Sequence, residues 1–283
     1  MRKGTLMKTA VSFYTFDENV DIREAMEQCK KADYDGVELV LSETGGLNMK
    51  QSDSEIRDIK KMADDFGLRI SSVGSWNIWS NNLVSDDAKI AAYGFDIIKR
   101  QLHCAAILGA DTILGIPGYV GTPFAEGVVS YDVAYERAQK AISKLGDTAK
   151  ELKVNIGVEN VWNKFLLSPL EMKRFIDEIA NEYVGAFFDV GNIIYIGYPE
   201  QWIRILGKRI KKMHFCDCRF DQVGLGMFVD LFEGDVDFEA VMDACKEIGY
   251  DDWAIVEFLP NYKRFPYQSI INARLSMEKI LAL

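Results

Sequence analysis

The stretch that decides the fold is VNIGVENVWNKFLLSPLEMKRFIDEIANEYVGAFFD, residues 154–189. It opens and closes with short apolar runs, Val154–Glu159 and Val184–Asp189, and each run ends in an acid. Apolar runs without polar alternation are typical of strands buried on both faces. Between them, Ser168 and Pro169 provide an N-cap and a first-turn proline for a helix over Leu170–Ala180. The stretch therefore predicts a strand, a helix and a second strand parallel to the first.

The same alternation continues in both directions along the chain. The predicted strands are Thr9–Tyr14, Gly36–Leu41, Arg69–Gly74, Thr112–Ile116, Val154–Glu159, Val184–Asp189, Ile210–Phe215 and Trp253–Phe258. The predicted helices are Asp21–Ala32, Ser52–Phe66, Asp86–Leu108, Ser130–Leu152, Leu170–Ala180, Pro199–Leu206, Asp237–Ile248 and Gln268–Leu283. This alternation predicts an α/β protein, a (β/α)8 TIM barrel with residues 1–283 in a single domain. A doubly wound open sheet is the alternative, but the turn TFDENVD after the first strand lacks the glycines usual there.

Cap signals mark the ends of two predicted helices. Asp21 can cap the first helix, and Ser52 with Glu55 forms the Ser-x-x-Glu pattern of a capping box. Gly67 follows the second helix at the position where a left-handed residue commonly ends one.

The composition excludes several classes of function. The chain has 283 residues, a net charge of −10 and a pI near 4.9, which argues against a nucleic-acid-binding surface. It contains no apolar run of about 18 residues that could span a membrane, and its N-terminus lacks the apolar core of a signal peptide. The five cysteines are odd in number and scattered, which favours free thiols in a reducing compartment. We therefore expect a soluble cytoplasmic protein without nucleic-acid or membrane partners.

Four of the predicted strands end in groups that can bind a divalent metal. We call them the strand-end cluster: Glu159, Asp189, His214 and Glu257. The C-terminal ends of parallel barrel strands open onto one face, so these side chains could meet at a common point. An unpaired buried acid is costly, and the alternative to a cation is an ion pair with Lys164 or Arg219. Oxygen ligands with one imidazole suit manganese, zinc, cobalt or magnesium, and the sequence does not choose among them.

Candidate ligand-binding side chains follow the same strand ends. The aromatic ones are Trp76, Trp79, Trp162, Tyr14 and Phe16, and the amides are Asn77, Asn160, Asn163 and Asn192. Aromatic walls with a few polar groups suit a small ligand such as a sugar, and packing between loops is the alternative. Arg219 could bind a phosphate or carboxylate, or pair with Asp217 or Asp221. Glu38, within the second strand, could face the ligand or belong to a buried network. His103, the second histidine of the chain, lies within a helical pattern and is predicted to be structural.

Several segments together resemble the xylose isomerase-like sugar phosphate isomerase/epimerase barrels. They are GVELVLS, ILGADTI, GVENVWN, FDVGN, KKMHFCD and LFEGDVDFEAVMDACKEIGYDDWAIVE, and the resemblance covers nearly the whole chain. It implies one divalent metal held by the strand-end cluster, with Glu159 and Glu257 also exchanging a proton with a sugar or sugar phosphate. It also implies a homo-oligomer as the assembly, and it makes Asn192 a substrate-binding position. Arg219, Trp76, Trp162 and Glu38 are predicted substrate-binding positions on the residues alone. Asn192 stands where the family often has a histidine, and Cys216 where it often has a lysine.

The resulting hypothesis is a metal-dependent isomerase or epimerase that abstracts a proton next to a ketose carbonyl. An inosose-type dehydratase on the same scaffold is one alternative, and a sugar-binding barrel without turnover is another. The scaffold also resembles endonucleases that act at abasic DNA sites with a histidine-rich three-metal cluster. Two histidines and the charge of −10 argue against that class.

Overall fold

Eight parallel strands close into a barrel in the computed structural model, which describes residues 7–17, 20–222, 224–257 and 262–283. The strands are β1 (Lys8–Ser12), β2 (Gly36–Ser42), β3 (Arg69–Ser75), β4 (Thr112–Gly115), β5 (Asn155–Glu159), β6 (Val184–Asp189), β7 (Ile210–Phe215) and β8 (Trp253–Val256). Each strand pairs with its neighbours in sequence, and β1 pairs with both β2 and β8. The predicted fold class is therefore confirmed.

A helix follows each strand. The helices are α1 (Ile22–Lys31), α2 (Asp53–Phe66), α3 (Ala88–Leu108), α4 (Tyr131–Leu152), α5 (Pro169–Ile179), α6 (Pro199–Leu206), α7 (Phe238–Ile248) and α8 (Gln268–Ile280). The predicted caps are present: Asp21 accepts the N–H groups of Arg23 and Glu24, and Ser52 forms the capping box with Glu55. Gly67 ends α2 at φ 69°, a conformation that costs glycine little.

The first and last strands differ most from their predicted bounds. β1 ends at Ser12, because the Ser12 hydroxyl accepts the N–H of Tyr14 and starts a 3₁₀ turn over Phe13–Thr15. β8 ends at Val256, and Phe258 of its predicted span lies outside the described residues. The described part of the chain also contains three two-residue strands that were not predicted: Leu47–Asn48, Asp217–Cys218 and Phe228–Val229. The last two pair with each other in antiparallel fashion within the segment that follows β7.

The core fills the barrel and the layer between the strands and helices. Strand residues such as Val37, Leu39, Val158, Phe187 and Ile255 have no solvent exposure. Within the part of the chain that the structure describes, none of the helices combines the length and the apolar character needed to cross a membrane.

Candidate active site

The strand-end cluster forms at one end of the barrel. Glu159 and Asp189 are the last residues of β5 and β6, His214 lies near the end of β7, and Glu257 follows β8. Asp189 is in register with His214, which in turn is in register with Ile255 of β8. Each residue offers one ligand atom, and these four atoms lie within 4.8 Å of one another. All four side chains are buried. The structure thus brings together the four residues that the sequence analysis singled out.

His214 is oriented by a buried acid beneath the cluster. Its Nε2 lies 2.9 Å from Oε1 of Glu38, and Glu38 also accepts the hydroxyls of Ser12 and Ser72, each at 2.6 Å. Burial alone would raise the pKa of Glu38, but the charge and hydrogen bond of His214 and the two hydroxyls lower it. Glu38 is thus an ionised acceptor that fixes the imidazole ring. Of the two positions considered for Glu38 from the sequence, facing the ligand or belonging to a buried network, the structure shows the buried network.

The other ring nitrogen of His214 faces the three acids of the cluster. Nδ1 lies 3.2 Å from Oε2 of Glu257, 3.7 Å from Oε1 of Glu159 and 3.8 Å from Oδ2 of Asp189. It is buried, and among the described residues no side chain or backbone group makes a well-directed hydrogen bond to it. Because Glu38 accepts the Nε2–H hydrogen bond, Nδ1 is the ring nitrogen that would bind a cation, and it would do so as the neutral imidazole.

The buried charges of the cluster perturb one another. Burial, with help from the charges of Asp189 and Glu38, raises the pKa of Glu159 to about 7, although His214 opposes the shift. Burial likewise raises the pKa of Asp189 and holds that of Glu257 well above its usual range. Burial acts to lower the pKa of His214, but the charges of Glu257 and Glu38 outweigh it and hold this pKa well above its ordinary value. The imidazole of His214 therefore lies among four buried acids, which are Glu38 and the three acids of the strand-end cluster.

These groups fit a divalent cation. Three carboxylates and one imidazole nitrogen are hard and borderline donors that suit manganese, zinc, cobalt or magnesium. A histidine whose outer nitrogen is held by a carboxylate is the usual form of a metal-binding histidine. A cation among the four ligand atoms would also balance charge that the protein's own residues leave in excess.

The neighbours of Asp189 hold its carboxylate in place. Its Oδ1 accepts the backbone N–H of Asn192 at 2.7 Å and the thiol of Cys216 at 3.2 Å. The side-chain amide of Asn160 bonds to both the N–H and the carbonyl of Asp189, at 3.0 and 2.8 Å, and so links β5 to β6. Asn163 is similarly engaged with the carbonyl of Gly118. Asn160 and Asn163, considered as ligand-binding amides from the sequence, are thus bonded to backbone.

A cavity of about 130 Å³, here called the aromatic cavity, opens beside the cluster. Glu159 and Glu257 line it, whereas Asp189 and His214 are not among its described lining residues. The predicted binding positions Trp76, Trp162 and Asn192 also line it. The remaining lining residues are Tyr14, Trp79, Ile116, Phe124, Val161, Leu225 and Phe228.

Phe124 and Phe228 are lining residues that the sequence reasoning missed. The Trp162 ring stacks with both, with ring centroids 6.4 Å from Phe124 and 5.3 Å from Phe228. Both lie in long segments after β4 and β7, so their position after strand ends was a usable signal.

Two predicted substrate contacts occupy other positions. Arg219 does not line the aromatic cavity, since its guanidinium pairs with Glu233, with Nη2 and Oε1 2.6 Å apart. Its predicted partners Asp217 and Asp221 are replaced by Glu233. Glu38 lies beneath the cluster rather than in the cavity wall, so its contact is with His214. His103 pairs with Asp53 at 2.8 Å on the outer helices, as expected of a structural histidine.

Asp217 organises the segment that carries Leu225 and Phe228. Its buried carboxylate accepts four backbone N–H groups, from Cys218, Phe232, Gly234 and Val236, at 2.9–3.2 Å. A Cβ at Gly234 would lie 2.2 Å from Oδ1 of Asp217, so glycine is needed there. The aromatic cavity thus has one wall fixed by a buried acid.

Comparisons with known proteins place this geometry in a wider context. A family model described as xylose isomerase-like TIM barrel matches residues 26–273. An inosose dehydratase from Lacticaseibacillus casei is 29% identical over 143 residues, which are 44% of this chain and 47% of the relative. The chain thus matches about half the length of that relative. An inosose dehydratase from Geobacillus thermodenitrificans is 26% identical over 226 residues, covering 71% of this chain and 74% of the relative.

Solved structures share the whole barrel. An L-ribulose 3-epimerase has a TM-score of 0.80 at 19% identity, covering 97% of this chain and 94% of that one. A D-psicose 3-epimerase, described in the presence of D-fructose, has a TM-score of 0.77 at 20% identity and covers 96% and 97%. The IOLI protein with a zinc atom has a TM-score of 0.79 at 18% identity and covers 97% and 98%. At these identities the likeness is one of fold.

Proposed function

The chain belongs to the xylose isomerase-like TIM barrel family, and from that premise we propose that it is a divalent-metal-dependent sugar isomerase or epimerase. The reaction would remove a proton from the carbon next to a ketose carbonyl and return it. The observation that carries the proposal is the division within the strand-end cluster. Glu159 and Glu257 line the aromatic cavity, whereas Asp189 and His214 are not among its described lining residues.

Asp189 and His214 would be holders of the metal. His214 presents Nδ1 because Glu38 fixes its other nitrogen, and Asp189 is held by Asn192 and Cys216. When bound, a manganese, zinc, cobalt or magnesium ion would supply Lewis-acid polarisation of the substrate carbonyl. The zinc in the IOLI protein of the same fold supports a divalent ion in general.

Glu159 and Glu257 would hold the metal and also carry the proton. One of them takes the carbon-bound proton and the other returns it. A pKa of about 7 for Glu159 suits a group that must both accept and donate a proton near neutral pH. Return to the opposite face of the same carbon gives epimerisation, and delivery to the neighbouring carbon gives isomerisation. Trp76, Trp162 and Asn192 would position the sugar between the aromatic walls.

A dehydratase is the second candidate, and the matches to inosose dehydratases favour it. It needs the same ligands and the same proton abstraction, followed by loss of a hydroxyl group. The five buried free thiols favour a reducing compartment, and the cytoplasm is part of this proposal.

The test measures the incorporation of solvent deuterium into each sugar and the mass of each product. Protein supplied with Mn²⁺ in D₂O is incubated with D-fructose, D-psicose, D-tagatose, L-ribulose and an inosose. We expect deuterium on a carbon next to the carbonyl of a ketose, with the product otherwise equal in mass to the substrate. Loss of water from the inosose, without exchange into ketoses, would establish the dehydratase instead. A protein that binds metal, exchanges no carbon-bound proton in any ketose and removes no water from the inosose contradicts both candidates.

A further inference from the structure

A second and larger cavity lies next to the aromatic cavity. It has a volume of about 470 Å³, and we call it the acidic cavity. It is formed largely by the ends of β2 and β3 and the residues that follow them, including Ser42, Thr44 and Asn77. Trp76 lines both cavities, so the two meet at this residue. The aromatic cavity alone is below the roughly 300 Å³ at which ligand pockets usually begin, whereas the acidic cavity is within the usual range.

The charges of the two cavities disfavour an anionic ligand. The acidic cavity is lined by the carboxylates of Asp17 and Glu43, and its described lining includes no lysine or arginine. The described lining of the aromatic cavity likewise includes no lysine or arginine, and its charged residues are Glu159 and Glu257. Arg219, the cation expected from the sequence to receive a phosphate, is paired with Glu233. A phosphate or carboxylate in the acidic cavity would therefore lie beside carboxylates, with no lysine or arginine in the described lining to receive it.

The lining of the acidic cavity instead suits hydroxyl groups. Asn77 is 8% exposed, and its Nδ2 has no hydrogen-bond partner among the described residues. A ligand oxygen would supply the acceptor that this buried amide lacks. One oxygen of Glu43 accepts the hydroxyl of Tyr93 at 2.7 Å, and a carboxylate has further capacity to accept ligand hydroxyls. Trp76 and Phe13 add apolar ring surface, against which the C–H face of a sugar packs.

We propose that the acidic cavity is a subsite for a neutral polyhydroxylated group joined to the ketose that reacts at the strand-end cluster. The substrate class is then a glycosylated or similarly extended sugar without phosphate. This inference rests on the proposed function for the identity of the reacting ketose. Ligand binding to the acidic cavity is nevertheless measured separately from the reaction.

The experiment compares three ligands that differ at one position of the same ketose. D-fructose has a free O6, isomaltulose carries a glucosyl group there, and D-fructose 6-phosphate carries a phosphate. Their affinities are measured by calorimetry on the Mn²⁺-supplied protein. We expect isomaltulose to bind about tenfold or more tightly than D-fructose, because only it can fill both cavities, and D-fructose 6-phosphate to bind more weakly than either.

Two variants locate the effect in the acidic cavity. Thr44→Trp places an indole at an exposed position of its wall, and Asn77→Leu removes the unpartnered amide while keeping a side chain of similar size. Both should reduce the ratio of isomaltulose affinity to D-fructose affinity, Thr44→Trp to near one. The matched control is Ser54→Trp, which adds the same indole at an exposed position of α2 outside both cavities and should leave the ratio unchanged.

The outcomes separate the subsite from the reaction. A preference for isomaltulose that Thr44→Trp abolishes supports the subsite, even if no deuterium exchange occurs and the proposed function fails. Equal affinity for isomaltulose and D-fructose, tighter binding of the phosphate ester, or a preference that survives in Thr44→Trp overturns the subsite. Exchange into D-fructose alone, with isomaltulose excluded, overturns it while leaving the proposed function intact.

Discussion

Strand β7 carries a buried basic side chain towards each end, and the acids around these two side chains differ. Lys212 is 1% exposed, and its ammonium contacts Oδ1 of Asp111 at 2.7 Å and the carboxylate of Asp252. We call these three residues the Lys212 cluster. Two residues further along, His214 meets Glu38 through one ring nitrogen and turns the other towards the acids of the strand-end cluster.

The difference lies in whether the charges are balanced by the protein itself. In the Lys212 cluster the acids are partly in water, with side chains 63% and 33% exposed, and one ammonium lies between them. In the strand-end cluster every acid is buried and one imidazole is the available cation among the described residues. The first arrangement is complete and can serve stability alone. In the second, the acids' raised pKa values show that their negative charge is disfavoured, and the proposed metal would offset it, in keeping with the rule that barrels place stability at one face and chemistry at the other.

The largest expected effect comes from neutralising one acid of the strand-end cluster that lines the aromatic cavity. Glu159→Gln and Glu257→Gln should each lower kcat about 10²–10⁴-fold on the ketose identified by isotope exchange, because each removes a proton carrier. Burial disfavours the charged form of both acids, so neither variant should be less stable than the parent when both are kept free of metal. Activity is measured by deuterium exchange, and stability by thermal unfolding in chelator. Near-parental activity in either variant would contradict the two-glutamate scheme.

An intermediate effect is expected from the acid that connects His214 to the rest of the barrel. Glu38→Gln keeps the shape but removes the charge that fixes the imidazole, so Mn²⁺ or Zn²⁺ should bind about 10–100-fold more weakly. The measurement is calorimetric titration of metal into chelator-treated protein. Glu126→Gln, at an exposed position outside the cluster, is the matched control and should leave the affinity unchanged. Equal metal affinity in Glu38→Gln and the parent would mean that the network positions the ring without affecting the site.

Most of the barrel could be predicted because its signals are local. β6, β7 and α6 have the predicted bounds. The apolar run of β6 and the proline at the start of α6 fix two of these elements within a few residues. The ends of β1 depended on one side-chain contact, the Ser12 hydroxyl with the N–H of Tyr14, which composition does not reveal. The short pair of strands after β7 depends on Asp217 reaching across the segment, and that too is a tertiary contact.

The convergence of the strand-end cluster was predictable for a related reason. Parallel strands in a barrel end on one face, so the chain position of each acid gives its place in space. Side chains whose roles depend on rotamers and distant loops could not be assigned this way. Arg219 pairs with Glu233, fourteen positions along the chain. Glu38 forms hydrogen bonds with Ser12, Ser72 and His214. The residues adjacent to Arg219 and Glu38 in the sequence do not indicate these partners.

The smallest expected effect tests the balanced side of the comparison. Asp111→Asn neutralises one acid of the Lys212 cluster, as Glu159→Gln does in the strand-end cluster. The Asp111 side chain is 63% exposed and Asp252 remains to pair with Lys212, so the free energy of unfolding should fall by less than about 1 kcal/mol. Metal affinity and kcat should match the parent, because the change lies at the opposite end of β7 from the cluster. Urea unfolding, metal titration and isotope exchange are measured on the same preparation. A drop in kcat comparable to that of Glu159→Gln would mean that the two ends of the barrel are coupled, and that charge balance does not separate a stabilising cluster from a catalytic one.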